Sequence, residues 1–580
     1  MAEMDAAREG NMGYRNFKTA LYAPVGDLNG ITDLHKFDKK FAFLEKHIHF
    51  DKIYLETLRS SETIGREKLL LLKRYFENKG IKTSGGITTS GSEMSDGYGF
   101  TSLCYTNSDH RKKIKAAVEM SASIFNEIIL DDFFFTNCKC SSCIEAKGTK
   151  SWSEFRLPLM KEAAEELVIA PAKKLNADVK LIIKFPNWYD SFSETGYSLE
   201  EEPGIFDMIY TGTETRDPLY TQQHLPKYLS YFIMRYFENV SPGRNGGGWF
   251  DPFECGGSLN HYTEQAYLTL FSKPQEVTLF CLGALLDKSY RIFAPLAGYA
   301  FEAVDEFLGE LGTPVGTACY IPSGSNGEDY LHNYMGMLGI PLEAYPYYPD
   351  GQSKIFLTVS AAKDPDIMKK IADSLQNGGD VIITSGLAKA LNGKGLEEIA
   401  TLRFSGSKAL IGSYSLSRTG FNLDGVVTSK TAVMLPRIGL HTNDAVALVE
   451  GLGTSSSFPI LTAFHYGKGR LFVLTIPEDQ GDLYNYPREV LNRIRGVMKC
   501  NTPVMLDAQA NIALFAYDND TFVVESFLPH PDTASIIIDK PGAVLKDLVT
   551  GKSYEGITDG ASTRFSLPLP PGTYKALRIV

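Results

Sequence analysis

Positive charge is scarce in this chain, with 58 Lys and Arg against 69 Asp and Glu for a net charge of −11. That balance argues against a nucleic-acid partner, whose phosphates call for clustered basic residues. No apolar run approaches the roughly 20 residues of a membrane-spanning helix, so no membrane partner is expected. The N-terminal stretch "MAEMDAAREGNMGYRN" has no apolar core of a secretory signal. A cytoplasmic location is therefore expected, or a periplasmic one if a signal has been removed. The eight cysteines lack the density of a disulfide framework, and only Cys138, Cys140 and Cys143 cluster. G-x-S-x-G, H-E-x-x-H and a G-x-G-x-x-G followed by an acidic residue are all missing. Their absence disfavours serine hydrolases, metalloproteases and nucleotide-cofactor enzymes, and no organic cofactor is expected. Internal repeats and low-complexity linkers are absent too.

What is present is length and alternation. At 580 residues the chain exceeds one ordinary core. Short apolar runs alternate with amphipathic stretches up to about residue 300. The strand candidates are "KTALYAPV", "KIYLETL", "KTSGGITT", "EIILDDF", "VKLIIKFP", "DMIYTGTE", "GGGWFDPFE" and "EVTLFCLGAL". Patterns such as "REKLLLLKRYFENKG" and "HRKKIKAAVEMSASIFNE" predict helices between them. Eight such units predict an α/β fold of the (β/α)₈ barrel type over residues 1–324. Strands and helices then alternate as in a flavodoxin-like open-sheet α/β domain over 325–502. Period-two strands over 503–580 predict a small β-sandwich.

In a barrel of this kind the active site lies at the C-terminal ends of the strands, and polar residues crowd there. Glu56 and Arg59 come after the second strand and Asp131 and Asp132 after the fourth. Asn187, Trp188 and Asp190 follow the fifth, Glu214 and Arg216 the sixth, and Asp251 and Glu254 the seventh. Trp249 is an expected sugar-stacking platform. The three glycines before it do not make a phosphate loop, because the Lys-Ser/Thr of a P-loop is missing. His47 and His49 form an H-x-H without a third ligand and carry little signal.

The stretch "EIILDDFFFTNCKCSSC", residues 127–143, joins two acids to a thiol cluster. Thiolates spaced C-x-C-x-x-C can wrap one tetrahedral ion at about 2.3 Å from zinc, with Cys104 the nearest fourth candidate in sequence. Four thiolates leave no open position, so such a zinc is structural. Free cysteines, or a redox C-x-x-C, are the weaker readings, since the latter normally opens a helix in a thioredoxin-like unit.

"FTSLCYTNSDHRKKIKAAVEMSASIFNEIILDDFFFTNCKCSSCIEA" resembles the corresponding region of the family-42 β-galactosidases. That resemblance implies a barrel, a trimerisation domain and a small β-domain, and hence a homotrimer. It implies a zinc held by Cys104, Cys138, Cys140 and Cys143. It also implies a retaining hydrolase acting on a terminal sugar of an oligo- or polysaccharide. The family's Asn-Glu acid/base motif is replaced here by Asp131–Asp132, which puts Asp132 in the acid/base place and Asp131 in that of Asn. An added carboxylate raises its neighbour's pKa by like-charge repulsion, which suits a proton donor.

The family's nucleophile position points to Glu254 first and Asp251 second. Glu214 is the acid if Asp132 is instead the nucleophile, as in the clan containing α-galactosidases; otherwise it binds hydroxyls with Arg216. Two other classes stay open: a non-catalytic carbohydrate-binding or assembly protein on a glycosidase scaffold, and a lyase using Arg59 or Arg216 to neutralise a uronate.

Overall fold

The computed structural model describes residues 13–91, 101–221, 223–416 and 425–580. Within the first compact unit, which ends at Gly309, eight strands fall on the eight expected segments. They are β1 (Lys18–Ala23), β2 (Lys52–Arg59), β3 (Lys82–Thr88), β4 (Glu127–Leu130), β5 (Lys180–Phe185), β6 (Met208–Gly212), β7 (Asn245–Phe250) and β8 (Glu276–Phe280). Every neighbouring pair is parallel, and β8 returns to β1, which also pairs with β2, so the sheet closes. Runs such as "KLIIKF" and "EIIL" suit these positions because a barrel strand is covered on both faces.

The helices between them start where the sequence provides caps. Asp33 accepts from the backbone N–H groups of His35 and Lys36, and Asn107 accepts from those of Asp109 and His110. Ser151 and Glu154 form a capping box ahead of the helix Trp152–Ala163.

The barrel interior is layered. Tyr22, Tyr54, Tyr210 and Trp249 fill its middle with Ala20, Ile129 and Ile182. The lower end, where the strands begin, is plugged by Lys52, whose Nζ lies 2.8 Å from carboxylate oxygens of both Glu127 and Glu276. The Tyr54 hydroxyl donates to Glu276 at 2.9 Å. Charge balance there is a matter of stability, because the chemistry of such barrels sits at the other end.

The residues 310–324, assigned from the sequence to the barrel, belong instead to the second unit, Glu310–Val580. Thr317–Tyr320 is a strand of its sheet, which begins before the glycine-rich segment that suggested the boundary. Five parallel strands run in the order second, first, third, fourth, fifth, namely Leu342–Tyr345, Thr317–Tyr320, Lys354–Leu357, Asp380–Thr384 and Gly469–Leu474. That is the flavodoxin-like order. Four antiparallel strands extend it, among them the long pair Leu402–Ser415 and Val426–Leu440, so the sheet is mixed. The C-terminal part has a six-stranded and a four-stranded sheet around an apolar core that includes Leu514, Val524, Ile536 and Phe565. Among the described residues, no helix is long and apolar enough to cross a membrane.

Between β5 and β6 the short helix Glu202–Ile205 buries an acid. Glu202 accepts from the Ser198 N–H at 2.9 Å, while its other oxygen is enclosed without a hydrogen-bond partner. Burial pushes this carboxyl up to about 8, against about 4.3 in an unfolded chain. The protonated form is the one that fits, so the stability it contributes is full below pH ~4 and is lost as pH rises through about 8. Glu202→Gln should therefore be more stable than the parent at pH 8, by about 1–3 kcal/mol after allowing for the amide's own unmet donor. In denaturant titrations the gap should shrink toward pH 5. A gap that stays constant from pH 5 to 8 would contradict this.

Candidate active site

A cavity of about 740 Å³ opens at the C-terminal ends of the barrel strands. Its lining includes ten of the eleven residues singled out from the sequence as catalytic or sugar-binding: Asp131, Asp132, Glu214, Asp251, Glu254, Trp249, Arg59, Trp188, Asn187 and Arg216. Phe133, Phe135, Phe253, Phe280 and Tyr290 add apolar wall.

At the floor stands a residue that sequence reasoning passed over. Lys184, the penultimate residue of β5, points into the barrel and is 2 % exposed. Its Nζ donates to Asp132 Oδ2 at 2.7 Å and to Glu214 Oε1 at 2.9 Å, and lies 3.5 Å from Asp131. The same ammonium sits 4.2 Å above the Trp249 ring. A lysine inside the apolar run "KLIIKF" was the available signal, since Lys is almost never fully buried unless paired. Attraction to the three carboxyl groups outweighs burial and holds it firmly protonated, which suits a fixed charge and not an amine nucleophile.

Around this cation the acids differ in state. Burial works against ionisation of Asp131, but Lys184 and Arg59 prevail and keep its pKa below the ordinary value. Arg59 Nη2 reaches Asp131 Oδ2 at 2.9 Å, and the Thr88 hydroxyl lies 3.1 Å from the same oxygen. Asp132 is pushed up to about 7, first by burial and then by the charges of Asp131 and Glu214, against the pull of Lys184. Glu214 is raised by burial, with Asp251 adding to it and Lys184 opposing. The charge of Glu214 also works against ionisation of Asp132, so both acids on the shared ammonium are raised.

The late strands carry a second, separate ion pair. Arg216 grips Asp251 through two hydrogen bonds, at 3.1 and 2.7 Å. It also reaches Glu254 at 3.4 Å. Glu254 stands on the rim with 53 % of its side chain exposed and a left-handed backbone (φ +56°). Asp132 thus shares a bridge with Glu214 and none with Glu254. Arg59 and Arg216 are each engaged by two carboxylates, so neither is free to neutralise a uronate.

Two expected sugar contacts are corrected. Trp249 is 1 % exposed, stacked on Phe280 at 5.5 Å, with Lys184 over its ring, so its face is not open to a sugar. Glu56 lies outside the cavity lining, fully buried. It accepts from the Tyr22 hydroxyl at 2.8 Å and the Val25 N–H at 2.7 Å, and Arg59 Nε donates to both its oxygens at 3.0 Å. It aims Arg59 and cannot reach a ligand. Asn187 braces the backbone, donating to the Glu214 carbonyl at 2.5 Å. Trp188 is the half-buried aromatic of the wall, set edge-on to Phe135 at 5.4 Å.

The glycines of "NGGGWF" serve packing. A Cβ on Gly247 would collide with the Glu276 carbonyl oxygen, and one on Gly248 with the Thr269 side chain.

Beyond β4 the chain is pinned in steps. The Tyr197 hydroxyl donates to the Asp132 carbonyl at 2.8 Å, Thr89 to that of Phe133 at 2.6 Å, and the Thr136 N–H to that of Thr195 at 2.9 Å. It then enters the cysteine cluster. The sulfurs of Cys104, Cys138, Cys140 and Cys143 all lie within 4.8 Å of one another. Cys104 is 3.8 Å from Cys140 and 3.5 Å from Cys143. A tetrahedral ion with metal–sulfur bonds of about 2.3 Å separates its sulfurs by about 3.8 Å, so this donor set fits such an ion. Among the described residues no other group of three or more His, Cys, Asp or Glu converges in this way.

Comparison with known proteins agrees with this architecture. Family models described as "Probable glycosyl hydrolase, catalytic domain" and "Probable glycosyl hydrolase, C-terminal domain" match residues 6–307 and 503–579. The second domain of "Uncharacterized protein SSO3021" matches 312–479. That protein, from Saccharolobus solfataricus, is 28% identical over 414 residues, 65% of this chain and 67% of its own length. The β-galactosidase of Rahnella sp. R3 superposes with a TM-score of 0.64 at 14% identity. A catalytic mutant of Gan42B, a GH42 β-galactosidase from G. stearothermophilus, gives 0.62 at 11%. The α-L-fucosidase isoenzyme 2 of Paenibacillus thiaminolyticus gives 0.64 at 12%. In all three, 98% of this chain and 99% of the other are covered, which establishes the shared fold. With a catalytic-domain model spanning more than half of its length, over the barrel whose mouth gathers these acids, the chain belongs to the probable glycosyl hydrolase family.

Proposed function

We propose that the protein is a retaining glycosidase that removes a terminal sugar, with Asp132 as general acid/base and Glu214 as the opposing carboxylate. The observation that carries this reading is the shared ammonium. Two oxygens bonded to Lys184 Nζ at 2.7 and 2.9 Å are at most about 5.6 Å apart, an upper bound that admits the ~5–5.5 Å of retaining pairs and falls short of the ~6.5–9.5 Å of inverting ones. Asp132, pushed up to about 7, suits the proton donor to the glycosidic oxygen, and Glu214 as carboxylate meets the developing oxocarbenium carbon. Asp131, kept anionic, adds negative charge beside the pair. Arg216 with Asp251 and Glu254 suits the recognition of sugar hydroxyls at the rim, and Trp188 a stacking wall.

In the same reading the four cysteines hold a zinc ion. With every position taken by sulfur the ion supplies no chemistry and ties down the loop that leaves Asp132. The resemblance to family-42 β-galactosidases further supports a homotrimer built partly on the mixed-sheet domain.

A panel of α- and β-nitrophenyl glycosides tests the activity, and hydrolysis of none would refute it. Asp132→Ala should lose about 10²–10⁴-fold on substrates with poor leaving groups and much less on activated aryl glycosides. Azide should then yield a glycosyl azide of unchanged configuration. An inverted azide, with aryl substrates lost as well, would make Asp132 the nucleophile. A loss below about 10-fold would leave Asp132 a structural role.

The rate should fall as pH rises through about 7, as Asp132 gives up its proton. Lys184→Met, which removes a charge that lowers the pKa values of both acids, should shift that alkaline limb upward while reducing kcat. A limb that stays put would separate Lys184 from the ionisation of Asp132.

Elemental analysis should find about one zinc per chain, and a metal-free, fully active protein would exclude the site. Light scattering should give three times the chain mass of 64.1 kDa; the monomer mass at micromolar concentration would refute the trimer.

A further inference from the structure

Beside the cysteine cluster lies a positive charge that no acid balances. Arg156, on the helix Trp152–Ala163, is 4 % exposed. Its Nη1 donates to the Glu194 carbonyl at 2.5 Å and its Nη2 to the Cys138 carbonyl at 3.4 Å. Its guanidinium lies 4.2 Å from the centre of the Trp152 ring. Nε is enclosed with no hydrogen-bond partner. Among the described residues no carboxylate forms an ion pair with it, and the acid of Glu194 acts on it only from further away. Two more cations, Lys139 and Lys147, stand 5.8 and 5.4 Å from the same ring. One of them lies between two of the cysteines in sequence and the other follows the last.

A buried guanidinium without an anion is costly, and one with an unmet donor, as Arg156 has at Nε, is costlier still. Four neutral thiols would not meet that charge. Four thiolates around a divalent ion carry a net double negative charge at this place. We infer that Arg156 is the buried counter-ion of a metal–tetrathiolate centre made by Cys104, Cys138, Cys140 and Cys143. Through the Cys138 carbonyl it also orients that ligand's loop, and through the Glu194 carbonyl it fastens the loop to the segment after β5. It is a positioning residue: it touches no metal and no substrate. Partners of this outer kind are worth about 10–100-fold in metal affinity. The inference rests on reading the four cysteines as a metal site, and the test separates the two.

Zinc-loaded full-length protein is challenged with a chromogenic chelator, and the Co²⁺-loaded form is followed by its thiolate-to-cobalt absorption. Arg156→Met, which keeps bulk and removes charge, should bind zinc about 10–100-fold more weakly and lose the cobalt band at lower chelator concentration. Arg156→Lys, which keeps the charge, should fall between the two. The thermal stabilisation gained on adding zinc should shrink in Arg156→Met relative to the parent. Zinc affinity equal to the parent's in Arg156→Met, with equal stability losses in the loaded and metal-free forms, would overturn the inference and leave Arg156 as a packing residue on Trp152. Should Arg156→Met not fold, Arg156→Lys is set against Arg156→Gln, and equal zinc affinity in those two would overturn it as well. A parent protein that takes up neither zinc nor cobalt would instead remove the metal reading itself, and the inference with it.

Discussion

Everything at the mouth of the barrel is arranged around the ammonium of Lys184. At an effective dielectric near 20, a contact of 4 Å between opposite charges is worth roughly 4 kcal/mol before desolvation is counted, and Lys184 has three carboxylates closer than that. Each buried ion costs several kcal/mol to dehydrate, so no member of the group is stable alone. The group survives because each charge is shared: Lys184 among three acids, Arg59 between Asp131 and Glu56, Arg216 between Asp251 and Glu254. Among these acids Asp132 is pushed up to about 7, by burial and by the charges of Asp131 and Glu214. The barrel repeats the device at its lower end, where Lys52 binds Glu127 and Glu276. There the aromatic layer separates the charges from the cavity, and they serve to close the fold.

The cysteine cluster and the acids are two ends of one tethered segment. The hydrogen bonds from Tyr197, Thr89 and Thr136 hold its middle, and the cysteines hold its far end. A loop fixed at several points gives up its conformational entropy during folding and not during substrate binding. In this way the cysteine cluster, itself outside the cavity lining, bears on the placement of an acid.

The strands were legible because burial on both faces writes itself as apolar runs of strand length separated by amphipathic stretches. The thiol cluster was legible because C-x-C-x-x-C keeps three sulfurs close whatever the fold does. Less legible was the direction of a side chain along a strand. Glu56 and Trp249 stand on strands that end at the site, yet one lies behind Arg59 and the other beneath Lys184, a difference set by strand tilt and by packing across the barrel. Lys184 went unread for the converse reason: inside an apolar run its charge makes sense only once Asp132 and Glu214, distant in sequence, are seen to converge on it. The boundary near 324 followed turn-forming residues, whereas Thr317–Tyr320 is claimed by strands further on, and long-range pairing overrides local punctuation.

The glycines of β7 have a consequence for the dimensions of the mouth. With hydrogen in place of side chains at Gly247 and Gly248, the strand is thin enough to lie flush against β8 and the helix Leu259–Phe271. Thickness that would otherwise separate neighbouring strands is thereby taken out of the wall just before Asp251. A methyl group at Gly247 would act as a wedge, prying β7 from β8 and carrying Asp251, with the arginine it grips, away from the axis. The bore of the pocket is thus calibrated by atoms that are missing from its wall.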